Sequence, residues 1–151
     1  MQAAQTYPAL RNLRVINAMH PGLIACSLDS PLSTVARMMS TYRVHAVLVT
    51  AHGEEELPRG GVWGIVTDTD LLRAAEVGDL SEQTARTIAT TPVHSVTTSD
   101  ELARAAQLMV ERDVSHLVVI ETHSGRPMGV ISTLDIARAL AGFPETHPFT
   151  P

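Results

Sequence analysis

The sequence predicts a mixed α/β (α+β) protein made of two β-α-β-β-α repeats. Three observations carry that expectation. Residues 29–50 align with 99–120 at a shift of 70, and five of the 22 pairs are identical: Leu32/Leu102, Ala36/Ala106, Met39/Met109, Val44/Val114 and Val49/Val119. Residues 64–74 align with 129–139 at a shift of 65, matching Gly64/Gly129, Asp70/Asp135, Arg73/Arg138 and Ala74/Ala139, with Thr67 opposite Ser132. In both halves a helical apolar stripe is followed by unbroken apolar runs in the same order. The shift falls by five between the two alignments, so the first half carries the longer internal loop.

Each element follows from local pattern. A short extended piece comes first, at 23–26 and at 93–96. Next, Leu32, Val35, Ala36 and Met39 fall at i, i+3, i+4 and i+7, as do Leu102, Ala105, Ala106 and Met109, which is one helix face. Ser30 before Pro31, and Thr98 three residues before Glu101, read as helix starts. The runs 46–50 and 117–120 are rich in β-branched residues and do not alternate, which predicts strands buried on both faces. Turns follow at 51–61, with Gly53, Pro58, Gly60 and Gly61, and at 121–127, with Gly125 and Pro127. The acidic run 54–56 reads as the solvated tip of a hairpin. Second strands at 62–66 and 128–131 lead directly into helices at 68–75 and 133–141. The expected organisation is repeat 1 over 14–76, a connection over 77–86, repeat 2 over 87–141, and a flexible, proline-containing tail over 142–151.

Composition narrows the function. The chain has 151 residues, 44% of them hydrophobic, enough for a core. Its net charge is −5, its 11 basic residues are all Arg, and only five residues are aromatic. Phosphate neutralisation and base stacking are both poorly supplied, so nucleic acid is not an expected partner. Cys26 is the single cysteine and reads as a core residue, so no intramolecular disulfide can form. Without a secretory leader pattern or an apolar run of about 20 residues, the expectation is a cytoplasmic protein with no membrane partner. The seven histidines show no helical i, i+4 pair, C-x-x-C or H-E-x-x-H, so no metal site is expected. His20, His52, His123 and His147 read as loop or tail residues, and Met38, Met39 and Met109 as core filling. No phosphate loop or nucleophile elbow is present, so no catalytic residues are assigned and the chain is not expected to be an enzyme.

The chemistry resides in 64–70 and 129–135. A strand ends, Thr67 or Ser132 follows, and a helix opens with Asp70 or Asp135 three positions on. Two readings remain open. A hydroxyl and a carboxylate at a helix N-terminus can grip a nucleotide, the hydroxyl and free N–H groups meeting phosphate and the carboxylate a ribose diol. The same pattern is also a capping box that stabilises the helix start and binds nothing.

Two β-α-β-β-α units, each carrying Gly-h-h-Ser/Thr-x-x-Asp (h, apolar), resemble a cystathionine-β-synthase (CBS) domain pair over roughly residues 15–140. The resemblance implies two repeats packed with pseudo-two-fold symmetry and two clefts between them that take adenosine derivatives: AMP, ADP, ATP or S-adenosylmethionine. It places Thr67 and Asp70 on phosphate and ribose in one cleft, with Ile24, Ala25, Val44, His45 and Ala46 as its wall. Ser132 and Asp135 take those roles in the other, walled by His94, Ser95, Val114, Ser115 and His116. His45 and His116 stand where a basic residue of the family can reach phosphate. Departures are the missing proline in 47–49 and 117–119, and Thr69 and Leu134 where the family often has Arg, which weakens the case for a polyphosphate. The function implied is a stand-alone regulatory module that requires no cofactor, binds an adenosyl ligand and modulates a protein partner. A homodimer is implied too, its helices packing through Ala74/Ala75, Ala105/Ala106 and Ala137/Ala139. The alternative is a ligand-free structural or dimerisation module.

Overall fold

The computed structural model describes residues 7–51 and 61–142. His52, Gly53, the acidic run 54–56, Pro58, Gly60, His147 and nearly all of the expected tail lie outside the described residues. The chain divides into two compact units, Leu23–Val93 on one side and Met1–Gly22 with His94–Pro151 on the other.

The Leu23–Val93 unit holds strands β2 (Ala25–Ser27), β3 (Ala46–Thr50) and β4 (Gly64–Thr67) in the order β2-β3-β4, with β2 parallel and β4 antiparallel to β3. Helices α2 (Leu32–Tyr42), α3 (Asp68–Val77) and the short α4 (Ala85–Ile88) supply Leu32, Val35, Met39, Leu71, Ala74 and Ala85 to a core shared with Cys26, Val47, Val49 and Val66. The central strand is buried at Ala46, Val47, Leu48 and Val49 alike, which is why its sequence does not alternate.

The other unit has the same order. Strands β5 (Ser95–Thr97), β6 (His116–Ile120) and β7 (Pro127–Ser132) join β1 (His20–Pro21) as β1-β7-β6-β5. Helices α1 (Val15–Ala18), α5 (Leu102–Arg112) and α6 (Thr133–Leu140) cover them, and Val15, Ala18, Leu102, Ala106, Met109, Leu117, Val119 and Ile131 are buried in one cluster.

Each sheet therefore carries at its edge a leader segment that belongs, in sequence, to the other repeat. β1 pairs with β7 through His20↔Val130 and Pro21↔Gly129, and the equivalent contact in the first unit is the bridge Ile65↔Thr90. The sequence gives little warning of these leaders, because helices of four residues are too short to show a period. The leaders also start the long helices. The Leu32 N–H donates to the Gln83 carbonyl and the Leu102 N–H to the Leu13 carbonyl. The expected side-chain caps do not act there: Ser30 accepts from the Ser27 N–H, and Thr98 is buried against Thr122. Tertiary partners have replaced local ones.

A close backbone approach seats each leader. A Cβ on Gly129 would lie 2.0 Å from the His20 carbonyl oxygen, and one on Gly64 would lie 2.9 Å from that of Thr90. The Gly that opens each motif is thus required by packing at the sheet edge. Gly129→Ala is expected to cost about 1–3 kcal/mol or more by overpacking against backbone. Gly78→Ala, at an extended residue with nothing within 4 Å, is expected to stay within about 0.5 kcal/mol. Urea unfolding of the two variants measures the difference, and equal effects would contradict the edge contact.

Candidate functional site

Both hydroxyl–carboxylate pairs are formed, one in each unit. At the start of α3 the Asp70 N–H donates to Thr67 Oγ1 (3.3 Å) and the Thr67 N–H donates to Asp70 Oδ2 (2.8 Å). At the start of α6 the Asp135 N–H donates to Ser132 Oγ (3.3 Å) and the Ser132 N–H to Asp135 Oδ2 (2.8 Å). These are reciprocal capping boxes, so the structural reading of the motif holds in both halves. A box does not use up a carboxylate, which has about four acceptor positions. What else surrounds each Asp decides whether it can serve a ligand.

The two surroundings differ. Asp70 is half-buried, and among the described residues its carboxylate accepts only from the Thr67 N–H. One of its oxygens is left for a donor such as a diol. Asp135 is 1% exposed. Its Oδ2 also accepts from Ser132 Oγ (3.1 Å) and faces His20 Nδ1 at 2.9 Å. An ionised carboxylate only accepts, so Nδ1 carries the proton in that bond. Asp135 Oδ1 is buried without a hydrogen bond, 3.8 Å from Arg138 Nη1. His20 was expected in a loop; it lies on β1 and pairs with Asp135, the most buried carboxylate described, a contact that the sequence analysis did not assign. In the structure His20 holds the register place that Thr90 holds in the other unit, a correspondence that only the strand pairing reveals.

The remaining expected residues divide into near and far. Ala46 pairs in register with Thr67, and His116 with Ser132, so the ends of β3 and β6 meet the two motifs directly. The Asp68 N–H donates to the His45 carbonyl, and the Thr133 N–H to that of Ser115. Val44 and Val114, both half-buried, turn each chain into these strands by donating their N–H groups to Met39 and Met109. Ile24, Ala25, His94 and Ser95 sit farther off. Ala25 is level with Leu48 and Ser95 with Val118, so the central strand β3 or β6 stands between each of them and the motif strand. Ile24 and His94 meet the same two residues, accepting from the Leu48 and Val118 N–H groups.

The electrostatics at α3 are acidic. Asp68 and Asp70 both lie in the first turn, Thr69 stands between them, and His45 Nδ1 is bonded to Asp68 Oδ2 at 3.0 Å. His45 therefore faces a carboxylate within its own unit. His116 instead bonds Ser115 Oγ at 2.8 Å. Cys26 is buried, and burial pushes its thiol up from the usual value. Among the described residues no group of three or more His, Cys, Asp or Glu is placed to hold a metal ion, and no helix is long and apolar enough to cross a membrane.

A family model described as CBS domain matches residues 14–77 and again 85–142. The chain is 26% identical over 125 residues to the mitochondrial CBS domain-containing protein CBSX3 of Arabidopsis thaliana, covering 76% of this chain and 55% of that one. It thus spans about half the length of that relative. Among solved structures it resembles the CBS domain protein PAE2072 from Pyrobaculum aerophilum complexed with AMP, with a TM-score of 0.72, 26% identity, and coverage of 85% of this chain and 95% of that one. It also resembles the CBS domain pair of protein MJ0100 in complex with 5′-methylthioadenosine and S-adenosyl-L-methionine, at a TM-score of 0.71, 18% identity, and coverage of 85% and 96%. The chain belongs to the CBS domain family and carries the domain twice.

The two aspartates should separate in stability measurements. Asp70→Ala is expected to lose a cap, about 0.5–2 kcal/mol. Asp135→Ala is expected to cost about 1–3 kcal/mol more than that, because besides the cap it removes the buried acceptor shared by the Ser132 hydroxyl and His20. Denaturant midpoints compare them, and equal losses would mean that the buried pair contributes nothing. Cys26 in the native protein is expected to react with a thiol reagent at pH 8 far more slowly than in denaturant, a contrast that absorbance at fixed reagent concentration reads directly.

Proposed function

We propose that this chain is a regulatory CBS pair that binds an adenosyl ligand of the AMP, ADP, ATP or S-adenosylmethionine class and modulates a partner protein. The observation that carries the reading is the Thr67–Asp70 box. It stands at the end of a buried strand and leaves a half-buried carboxylate with an oxygen to spare. A ribose cis-diol supplies the two donors that such a carboxylate accepts. The AMP complex of the similar Pyrobaculum protein supports the adenosyl class. Ile24, Ala25, Val44, His45 and Ala46 are proposed to complete the surroundings of the base and ribose. Nothing in the motif assembles a nucleophile with a base, so the reading is regulatory and not catalytic.

The charge at α3 ranks the ligands. Two carboxylates and no Arg in the first turn oppose added phosphates, while the ribose contact is unaffected. AMP and S-adenosylmethionine are therefore expected to bind more tightly than ATP. A second reading, a dimerisation module without ligand, is favoured by exposed Leu72 and Val77 on α3, Val110 on α5 and Leu140 on α6. The alanines do less for it than expected, since Ala74, Ala105, Ala106 and Ala139 are buried within their own units.

Thermal unfolding with AMP, ADP, ATP and S-adenosylmethionine separates the two. A ligand at 100 times its Kd should add about 2.7 kcal/mol, a rise of roughly 5–10 °C in Tm for a chain of this size. The rise should vanish in Asp70→Ala. No shift with any of the four, together with a dimer that persists without them, would establish the second reading.

A further inference from the structure

We propose that His20 locks the second CBS repeat out of ligand binding, so that the protein takes one adenosyl ligand per chain, through Asp70, and none through Asp135. This inference rests on the adenosyl reading above and refines it. The motif is present twice, which by itself predicts two equivalents. The side chains around the two carboxylates do not support that symmetry.

A ribose needs two acceptor positions on a carboxylate that it can reach. Asp135 Oδ2 already takes the Ser132 N–H, the Ser132 hydroxyl and His20 Nδ1, all within 3.1 Å. Its Oδ1 is closed off and has the Arg138 guanidinium 3.8 Å away. With His20 and Arg138 beside it and 1% of its surface exposed, Asp135 is enclosed in a polar cluster. A diol would have to break the His20 contact and leave the imidazole without its carboxylate. Asp70 meets no such obstacle. The residue in the place of His20 is Thr90, which is exposed and makes no side-chain hydrogen bond among the described residues. The two leaders differ in sequence throughout, but it is the side chain at this one register place, His20 or Thr90, that meets the motif carboxylate in one unit and leaves it open in the other. His20 acts through Asp135 and touches no ligand, so it is a positioning residue.

The replacement that tests this is already in the molecule. His20→Thr copies the first unit into the second at an edge position where Thr is tolerated. Calorimetry with AMP and with S-adenosylmethionine should give one equivalent per chain for the wild type, none for Asp70→Ala, two for His20→Thr, and one for His20→Thr combined with Asp70→Ala. Two equivalents in the wild type, or one retained in Asp70→Ala, would overturn the lock, and neither readout depends on the His20 variant folding. A second measurement needs no ligand. In a double-mutant cycle of His20→Thr and Asp135→Ala, the unfolding constants should show a coupling of roughly tenfold. Additive effects would mean that no lock exists. If the cycle shows coupling but neither probe binds the wild type or His20→Thr, the adenosyl reading has failed and the inference falls with it, which is a different result from a failed lock.

Discussion

The sheet edges depend on a contact that only glycine allows. At Gly129 the carbonyl of His20 occupies the space where a Cβ would stand, and at Gly64 the carbonyl of Thr90 comes nearly as close. Without those two approaches the leaders could not lie against β7 and β4. Val15 and Ala18 would leave one core and Ala85 the other. The helices α2 and α5 would lose the carbonyls that receive their first N–H groups. The same contact holds His20 over Asp135. Edge packing, helix initiation and the chemistry of the second motif therefore share one steric cause.

What could be read from the sequence was what repeats or what is periodic. The two long helices, the non-alternating strands and the hydroxyl–carboxylate boxes were all visible, since each is written within about a dozen consecutive residues. The strands at 46–50 and 117–120 were legible because burial on both faces removes alternation. The leaders were not, since four residues of helix and two of strand carry no period. The helix starts misled for a related reason: Ser30 and Thr98 have the right side chains, but a distant carbonyl does the work. His20 was the costliest omission. It meets Asp135 across 115 residues, and no local pattern encodes a pair that distant.

The motif itself shows how far a signature can be trusted. Its two copies make the same box with the same bond lengths, so they are equal as helix caps. They differ in what a third residue does to the carboxylate. A cap needs one oxygen of the Asp, whereas a ligand needs an oxygen that is both unoccupied and reachable. Matching sequences guarantee the first property and say nothing of the second. Charge adds a further distinction, because α3 opens with two carboxylates and α6 with one that has His20 and Arg138 beside it.

The exchange of leaders bears on how the chain is assembled during translation. The Leu23–Val93 unit is contiguous, so every strand and helix it needs has left the ribosome before the second core is made. The other unit is split, and the segment ending at Gly22 must wait for residues from His94 onward. Until then Val15, Ala18 and Met19 have no core to enter, and closing so long a loop comes late in any folding order. Synthesis from the N-terminus thus completes the half with the open aspartate first, and the half sealed by His20 last.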